Sequence, residues 1–223
     1  MPVLAPSTKE LLVVAGERLI AQHGVDSVSM IQIGAAAGTG NKSAVQYHFG
    51  SKDQLVEAIF EYRRPRFYER LSVLIAEADP GDLRGWMECH VRAVLQQSEL
   101  EGSYYMSFVA RLLEQGRRDL FERMPAELSE PTREFNQQVG SFLGHVPEPL
   151  RTRRVATAMV MIIQFGALLE RMRAAGKRVL PFAVELADLV DGMVGYLQAP
   201  VSPQARRAVS GLDPAAVAWP TFF

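Results

Sequence analysis

Three observations on this chain predict an all-α fold. Apolar residues recur at helical spacing along nearly its whole length, few stretches alternate apolar with polar residues, and no Asn-Gly or Asp-Gly pair lies between two alternating runs. The predicted architecture is an N-terminal three-helix unit with helix-turn-helix layout over residues 1–52. A larger helical domain follows over 53–199, and a Pro-containing C-terminal tail over 200–223.

Each element has its own local signal. Thr8 to His23 puts Leu12, Ala15, Leu19 and Ile20 on one face, and Gly24 terminates it. Ser29 caps a short segment to Ala37 that turns Met30, Ile33, Ala36 and Ala37 inward. Gly38-Thr39-Gly40 breaks the pattern, Asn41 caps a third short helix to about Phe49, and Gly50 stops it. Ser51-Lys52-Asp53-Gln54 is a capping box opening a fourth helix that runs past Tyr62 and Pro65 towards Ala78. Further helices are predicted near Leu83–Ser98, Ser103–Gln115, Pro131–Leu143, Pro149–Ala175 and Pro181–Leu197. From Pro200 the tail, with Pro203, Pro214 and Pro220, reads as irregular, its end carrying Trp219, Phe222 and Phe223 for docking.

Composition narrows the function. At 223 residues, 48% apolar and 22% charged, the chain is long enough to bury a core without staples. A net charge of −1 excludes a globally basic nucleic-acid binder, so such a role must come from a local patch. The single cysteine, Cys89, excludes an intramolecular disulfide framework and a Cys-rich zinc module. Met1 to Pro6 lacks the features of a signal peptide, and a cytoplasmic location is the expectation.

A local patch is present. From Ser27 to Lys52 there is no Asp or Glu, while Lys42, His48 and Lys52 lie within the stretch. Ala44 and Val45 read as packing residues, which leaves Lys42, Ser43, Gln46 and Tyr47 facing a duplex groove. Gln pairs bidentately with adenine, and Lys with guanine or a phosphate. Caps at Ser29, Asn41 and Ser51 leave backbone N–H groups for phosphate oxygens, and Thr39 in the turn joins the candidate contacts.

The span from about Leu11 to Phe60 resembles the DNA-binding domain of the TetR family of bacterial transcriptional regulators. The matching elements are Ala15 through Ile20 to Gly24, Ser29 with Ile33, Ala36-Ala37-Gly38, and Tyr47-His48-Phe49 followed by Ser51-Lys52 and Leu55. The resemblance implies that Ser29 and Lys42 to Tyr47 contact double-stranded operator DNA, with His48 and Lys52 on phosphates. The chain departs from the pattern in a turn one residue longer than usual, Gln46 where tyrosine is common, Gly34 where alanine is usual, and an apolar Ile31 at an exposed position.

The larger domain carries two further signals. Val155 to Leu169 is a 15-residue run without a charge, too short for a bilayer, which takes about 20 apolar residues. A helix apolar all round is buried all round, so one face needs a partner. Ala156, Ala158, Gly166 and Ala167 would let another helix approach, and Phe182, Leu186, Leu189, Val190, Met193 and Leu197 add a second apolar helix. An intermolecular four-helix bundle, hence a homodimer on an inverted-repeat operator, is the expectation, and the resemblance implies the same. The middle helices are rich in aromatics and Met, which suits a cavity for a largely apolar small-molecule effector. The resemblance places an effector pocket in this region, and Trp86, His90, Tyr105, Phe108 and Phe165 are the candidates.

Nothing suggests catalysis or a cofactor. His23, His48, His90 and His145 lack zinc-ligand spacing, and the adjacent Cys89-His90 pair points about 100° apart on a helix. No phosphate-binding loop, dinucleotide fingerprint or nucleophile elbow occurs. The predicted function is a ligand-responsive repressor. The alternatives are a ligand-dependent activator and a helical protein-interaction module without DNA binding.

Overall fold

A computed structural model describes residues 6–39, 43–78, 80–117, 119 and 126–213, with the backbone alone at 126–129, 131 and 132. In order, α1 is Thr8–His23, α2 Met30–Ala36, α3 Ala44–Phe49, α4 Lys52–Ala78, α5 Leu83–Glu99 and α6 Tyr105–Glu114. Then come α7 Ala126–Ser141, α8 Leu150–Ala174, α9 Phe182–Gln198 and α10 Pro203–Val209. Among the described residues no strand occurs.

Short-range caps set the N-terminal boundaries. Ser7 Oγ accepts from the Glu10 N–H at 3.2 Å while the Ser7 N–H donates to the Glu10 carboxylate at 2.7 Å. The Ser29–Gln32 pair repeats that reciprocal box at α2, again at 3.2 and 2.7 Å. Gly24 and Gly50 follow α1 and α3 with φ of 85° and 71°, a region that side chains with a Cβ rarely enter. Ser51 Oγ opens α4 by accepting from the Gln54 N–H at 3.2 Å. Pro65 lies within α4 and supplies no N–H to the carbonyl four residues back, yet the helix continues to Ala78.

Three predictions are corrected. Ala36 is exposed, and Gly34 takes the inward place beside Ile33 because positions 30, 33, 34 and 37 share one helical face. Residues after Pro200 are not irregular throughout: Ser202 accepts from the Ala205 N–H at 3.1 Å and Pro203 begins α10. Trp219, Phe222 and Phe223 lie outside the described residues. Gly166 serves its own domain, for a Cβ there would come within 2.8 Å of Val94 Cγ1 on α5. Ala158 and Ala167 are buried with it, as are Leu186, Leu189, Val190, Met193 and Leu197 of α9. The apolar sequence read as a partner interface is thus largely consumed inside one chain.

What α8 and α9 leave outside is narrower. Met161, Leu168 and Val184 remain 42%, 43% and 47% exposed, and open space surrounds Gly192 and Gly195. By length and composition the 25-residue α8 could cross a bilayer, but half of its most apolar window is buried against the domain, as in a core helix.

One apolar core runs from the first helices into the body. Leu12, Ile33, Val45 and Leu55 join Phe60, Met87, Phe108 and Ile162 in a continuous cluster. Its largest side chains, Phe60 and Phe108, are each worth about 1.5–3 kcal/mol of burial. The helix α4 belongs to both ends of this core: Leu55 and Ile59 pack under α1–α3, and Phe60 packs on Phe108 of α6 at 5.4 Å.

Candidate nucleic-acid interface and interior cavity

The six residues of α3 divide cleanly. Ala44, Val45 and Phe49 are buried and seat the helix on the core, while Gln46, Tyr47 and His48 are exposed. Tyr47 is 84% exposed, an unusual position for a large aromatic ring in a monomer. Its edge meets the His48 ring with centroids 5.2 Å apart, so the two present one aromatic ledge. Neither α2 nor α3 contains a carboxylate.

The other predicted contacts stand as follows. Ser29 is exposed but already committed to the α2 capping box. Thr39 donates its hydroxyl proton to the Gly34 carbonyl at 2.9 Å and so closes the end of α2. Ser43 occupies the α3 N-cap position without a side-chain cap bond. Lys52 donates an ammonium proton to the Val25 carbonyl at 2.9 Å, which anchors α4 to the α1–α2 turn. Asn41 and Lys42 lie outside the described residues. Ile31, 59% exposed, adds an apolar group on the outer side of α2.

Sequence reasoning missed the groups that fix this head to the body. Glu17, fully buried on α1, accepts from Arg63 Nε at 2.6 Å, from Arg63 Nη2 at 2.9 Å and from the Tyr104 N–H at 2.8 Å. Gln115 Oε1, just beyond α6, accepts from the Val25 N–H at 3.1 Å. Arg117 reaches Asp53 of α4 at 3.0 Å and Asp26 of the α1–α2 turn at 3.9 Å. For Glu17 the signal was legible, since a carboxylate between Val13 and Ile20 interrupts the apolar face of α1.

An interior cavity of about 40 Å³ lies between α4, α5, α6 and α8, walled by Phe60, Arg64, Tyr68, His90, Tyr105 and Met159 among others. His90 and Tyr105 were predicted; Arg64 and the α4 aromatics were not. Phe108 is instead in the core against Phe60, the half-buried Trp86 packs on Phe135 at 6.4 Å, and Phe165 is not part of the wall. Burial pulls His90 down to about 4, so its imidazole is neutral at pH 7, and Nδ1 has no hydrogen-bond partner. Burial also raises the Tyr105 hydroxyl. The Arg64 guanidinium donates to the Tyr68 hydroxyl and lies over the Phe60 and Tyr68 rings at 5.8 and 5.1 Å.

Beside the cavity, the Glu170 carboxylate of α8 accepts from the Met106 and Ser107 N–H groups at 3.0 and 2.8 Å, holding the first turn of α6. Burial pushes this carboxyl up to about 7 against the pull of those two donors. A larger groove of about 510 Å³ opens between α7 and α8. Among the described residues no group of three His, Cys, Asp or Glu side chains could hold a metal ion.

Residues 12–59 match the family model described as bacterial regulatory proteins, tetR family. No curated protein matches the sequence. Solved structures align over most of the chain. The fatty acid degradation regulator FadR from Bacillus halodurans is 14% identical with a TM-score of 0.56, covering 88% of this chain and 99% of its own. NalD, the secondary repressor of the MexAB-OprM multidrug efflux pump in Pseudomonas aeruginosa, is 20% identical with a TM-score of 0.53, covering 84% and 94%. AibR, solved in complex with isovaleryl coenzyme A and operator DNA, is 18% identical with a TM-score of 0.54, covering 87% and 100%. The TM-scores show a shared fold, and at these identities the likeness is one of fold alone. Residues 12–59, the span of α1 to the start of α4 with its outward-facing third helix, thus match the N-terminal domain of the tetR family of bacterial regulatory proteins.

Proposed function

We propose that this protein is a homodimeric, ligand-responsive transcriptional repressor that works in the cytoplasm and carries no catalytic centre. The observation that carries the reading is the surface of α3: Gln46, Tyr47 and His48 project from a buried base, on two helices without a carboxylate. Gln46 and Tyr47 read base edges, while Ser43, His48, Lys52 and the Ser29 turn face phosphates. Asn41 and Lys42 extend the same surface by their place in the sequence. One short helix makes few base contacts, so the second copy is functionally required. Two-fold symmetry sets two α3 helices about 34–36 Å apart on an inverted repeat. The exposed stripe of Met161 and Leu168 on α8, with Val184 on α9, supplies the partner face.

Effector binding at the body shifts the population between a dimer matched to operator spacing and one that is not. The helix α6 is suited to carry that shift. Tyr105 and Met106 at its start line the cavity, and Gln115 beyond its end holds the α1–α2 turn. The solved complex of AibR with both isovaleryl coenzyme A and operator DNA supports the pairing of the two partners on this fold.

Selection of bound fragments from genomic DNA, followed by footprinting, tests the reading. A two-fold symmetric footprint is expected, with affinity falling steeply as salt rises. Tyr47→Ala should weaken specific binding by about 1–3 kcal/mol, roughly fivefold to 150-fold, while the melting temperature stays unchanged. Failure to protect any symmetric site in dilute buffer would leave a helical dimer without DNA binding.

A further inference from the structure

We propose that the α7–α8 groove is a docking site for residues 214–223 of the same molecule, with the Trp219 ring as the anchor that fills it. This docking does not depend on DNA binding, and it gives a place to the aromatic sequence beyond α10.

Two anchors bring the chain to the mouth of the groove. Arg154, near the start of α8, donates to the carbonyls of Leu197 and Ala199, so the end of α9 is pinned beside it. Arg206 of α10 then donates to the His145 carbonyl at 3.2 Å, on the link between α7 and α8. Turn bonds from the Ser210 and Leu212 N–H groups keep the chain compact after α10. Trp219 follows Asp213 by six residues, a reach of at most about 20–22 Å. The groove lies within that reach, for its wall includes Glu148 and Arg151, three and six residues beyond His145. The hollow beside α1, lined by Glu10 and Tyr104, lies towards the other end of the body. From Leu150 to Glu170, which holds the start of α6, α8 runs about 30 Å.

The chemistry of segment and groove agrees. Residues 214–223 carry no charge and include Val217, Trp219, Phe222 and Phe223, so burying them desolvates no ion and removes large rings from water. Val155 is buried at the groove, Gly140 and Ala156 keep its walls small, and Arg133 and Arg151 line it too. A guanidinium held by a carboxylate still offers its face to a ring: Arg151 donates to Glu148 at 2.7 Å, and Arg133 pairs with Glu130. At about 510 Å³ the groove has room for an indole and a neighbouring phenyl ring. The helix α10 needs such an anchor. None of its seven residues is buried, and Leu212 just after it is 48% exposed. So short a helix is marginal in water without packing, and an apolar anchor beyond it adds to the hold of Arg206. Met161, nine residues on from Thr152, points to the opposite side of α8, so the exposed stripe is a separate surface.

The test uses the full chain and reads Trp219 fluorescence as the difference between the parent and Trp219→Phe, which cancels the emission of Trp86. The emission of Trp219 should lie to the blue of free indole, and acrylamide should quench it several-fold less than N-acetyltryptophanamide. Gly140→Leu and Ala156→Leu fill the groove from α7 and from α8, each read against its own Trp219→Phe counterpart. A Cβ at Gly140 meets open space and leucine favours helix over glycine, so Gly140→Leu should not lower the melting temperature. Both groove variants should return Trp219 to the emission and quenching of free indole, whereas Met161→Gln should leave it shielded. A solvent-like Trp219 in the parent overturns the proposal, as does a shielded Trp219 that neither groove variant releases. Release by Met161→Gln would seat the segment on the exposed stripe, and loss of shielding in step with dimer dissociation would seat it on a second copy. Either result also overturns docking within one molecule.

Discussion

The head and the body treat polar side chains in opposite ways. On α2 and α3 the polar groups sit at the surface, and their bonds are local, as in Ser29 with Gln32 or Thr39 with Gly34. Glu17, where α1 meets the body, and Arg64, His90 and Glu170 within the body are buried, and the bonds that hold Glu17 and Glu170 join residues some 46 to 87 positions apart. The difference follows from what the proposed function asks of each region. A surface that exchanges water for phosphate and base edges keeps its donors outside, whereas a body that transmits a change of state needs buried polar contacts with discrete arrangements.

The largest expected effect breaks that contrast at its strongest point. Glu17→Ala removes the partner of a largely buried Arg63 and strips the Tyr104 N–H of its acceptor. A loss of about 3–5 kcal/mol is expected, because the remaining guanidinium stays desolvated without compensation. Chemical denaturation with coincident probes of helix content and tertiary packing measures it. A loss below about 1 kcal/mol would mean the pair behaves like a surface bridge.

A second test sets two buried groups against each other. His90 titrates at about 4 in the fold and 6.5 when unfolded, so between those values the unfolded chain binds the extra proton. Stability from this group is complete above pH 6.5 and is lost as pH falls towards 4. Glu170 runs the other way: at about 7 in the fold and 4.5 unfolded, the folded chain binds the extra proton, and stability falls as pH rises from 4.5 to 7. Each contributes about 3 kcal/mol at full extent, and between pH 4.5 and 6.5 they oppose. Relative to the parent, Glu170→Gln should steepen the rise of stability from pH 4 to 6.5. His90→Leu should instead leave a decline from 4.5 to 7. Urea midpoints at half-unit pH intervals resolve both slopes, and parallel profiles for the parent and the two variants would remove the assignment.

The same contrast explains what the sequence made legible. Elements set by short-range chemistry were readable: α1 with its Gly24 stop, the α2 cap at Ser29, and the inward Ala44 and Val45 that expose Gln46 and Tyr47. The α10 start was equally local, but Pro203 was read as a breaker although proline suits the first turn after a Ser cap. What pairs across the chain was not readable. The small Gly166 fits a partner helix or its own neighbours equally well, and only Val94 at its surface decides. The cavity wall on α4 does carry a pattern, since Phe60, Arg64, Phe67 and Tyr68 fall on one helical face. In the sequence it reads only as part of a long helix, because an arginine on an apolar face suggests a boundary until its surroundings are known.

The smallest expected effect concerns the joint between the two regions. Arg117 bonds Asp119 at 3.1 Å and Asp53 at 3.0 Å and approaches Asp26 at 3.9 Å, and these carboxylates hold its guanidinium above its ordinary pKa. All three pairs are at least partly open to solvent, so Arg117→Ala should cost only about 0.2–1 kcal/mol in a denaturant melt. Its geometry matters more than its energy, because one planar fork spans the α1–α2 turn, the first turn of α4 and the chain beyond α6. Loosening it should lower operator affinity by a few-fold and weaken the response to effector, within the coupling of about 1–3 kcal/mol that such linkage usually carries. Arg117→Lys should restore the charge but not the fork, and recover operator affinity only in part. Operator titrations at two salt concentrations separate the effects, since a loss due only to charge is rescued by lysine and screened at high salt. If Arg117→Ala instead unfolds the protein, the head depends on the joint for its fold. If both variants bind and respond like the parent, the head is positioned by Glu17 and the shared apolar core alone.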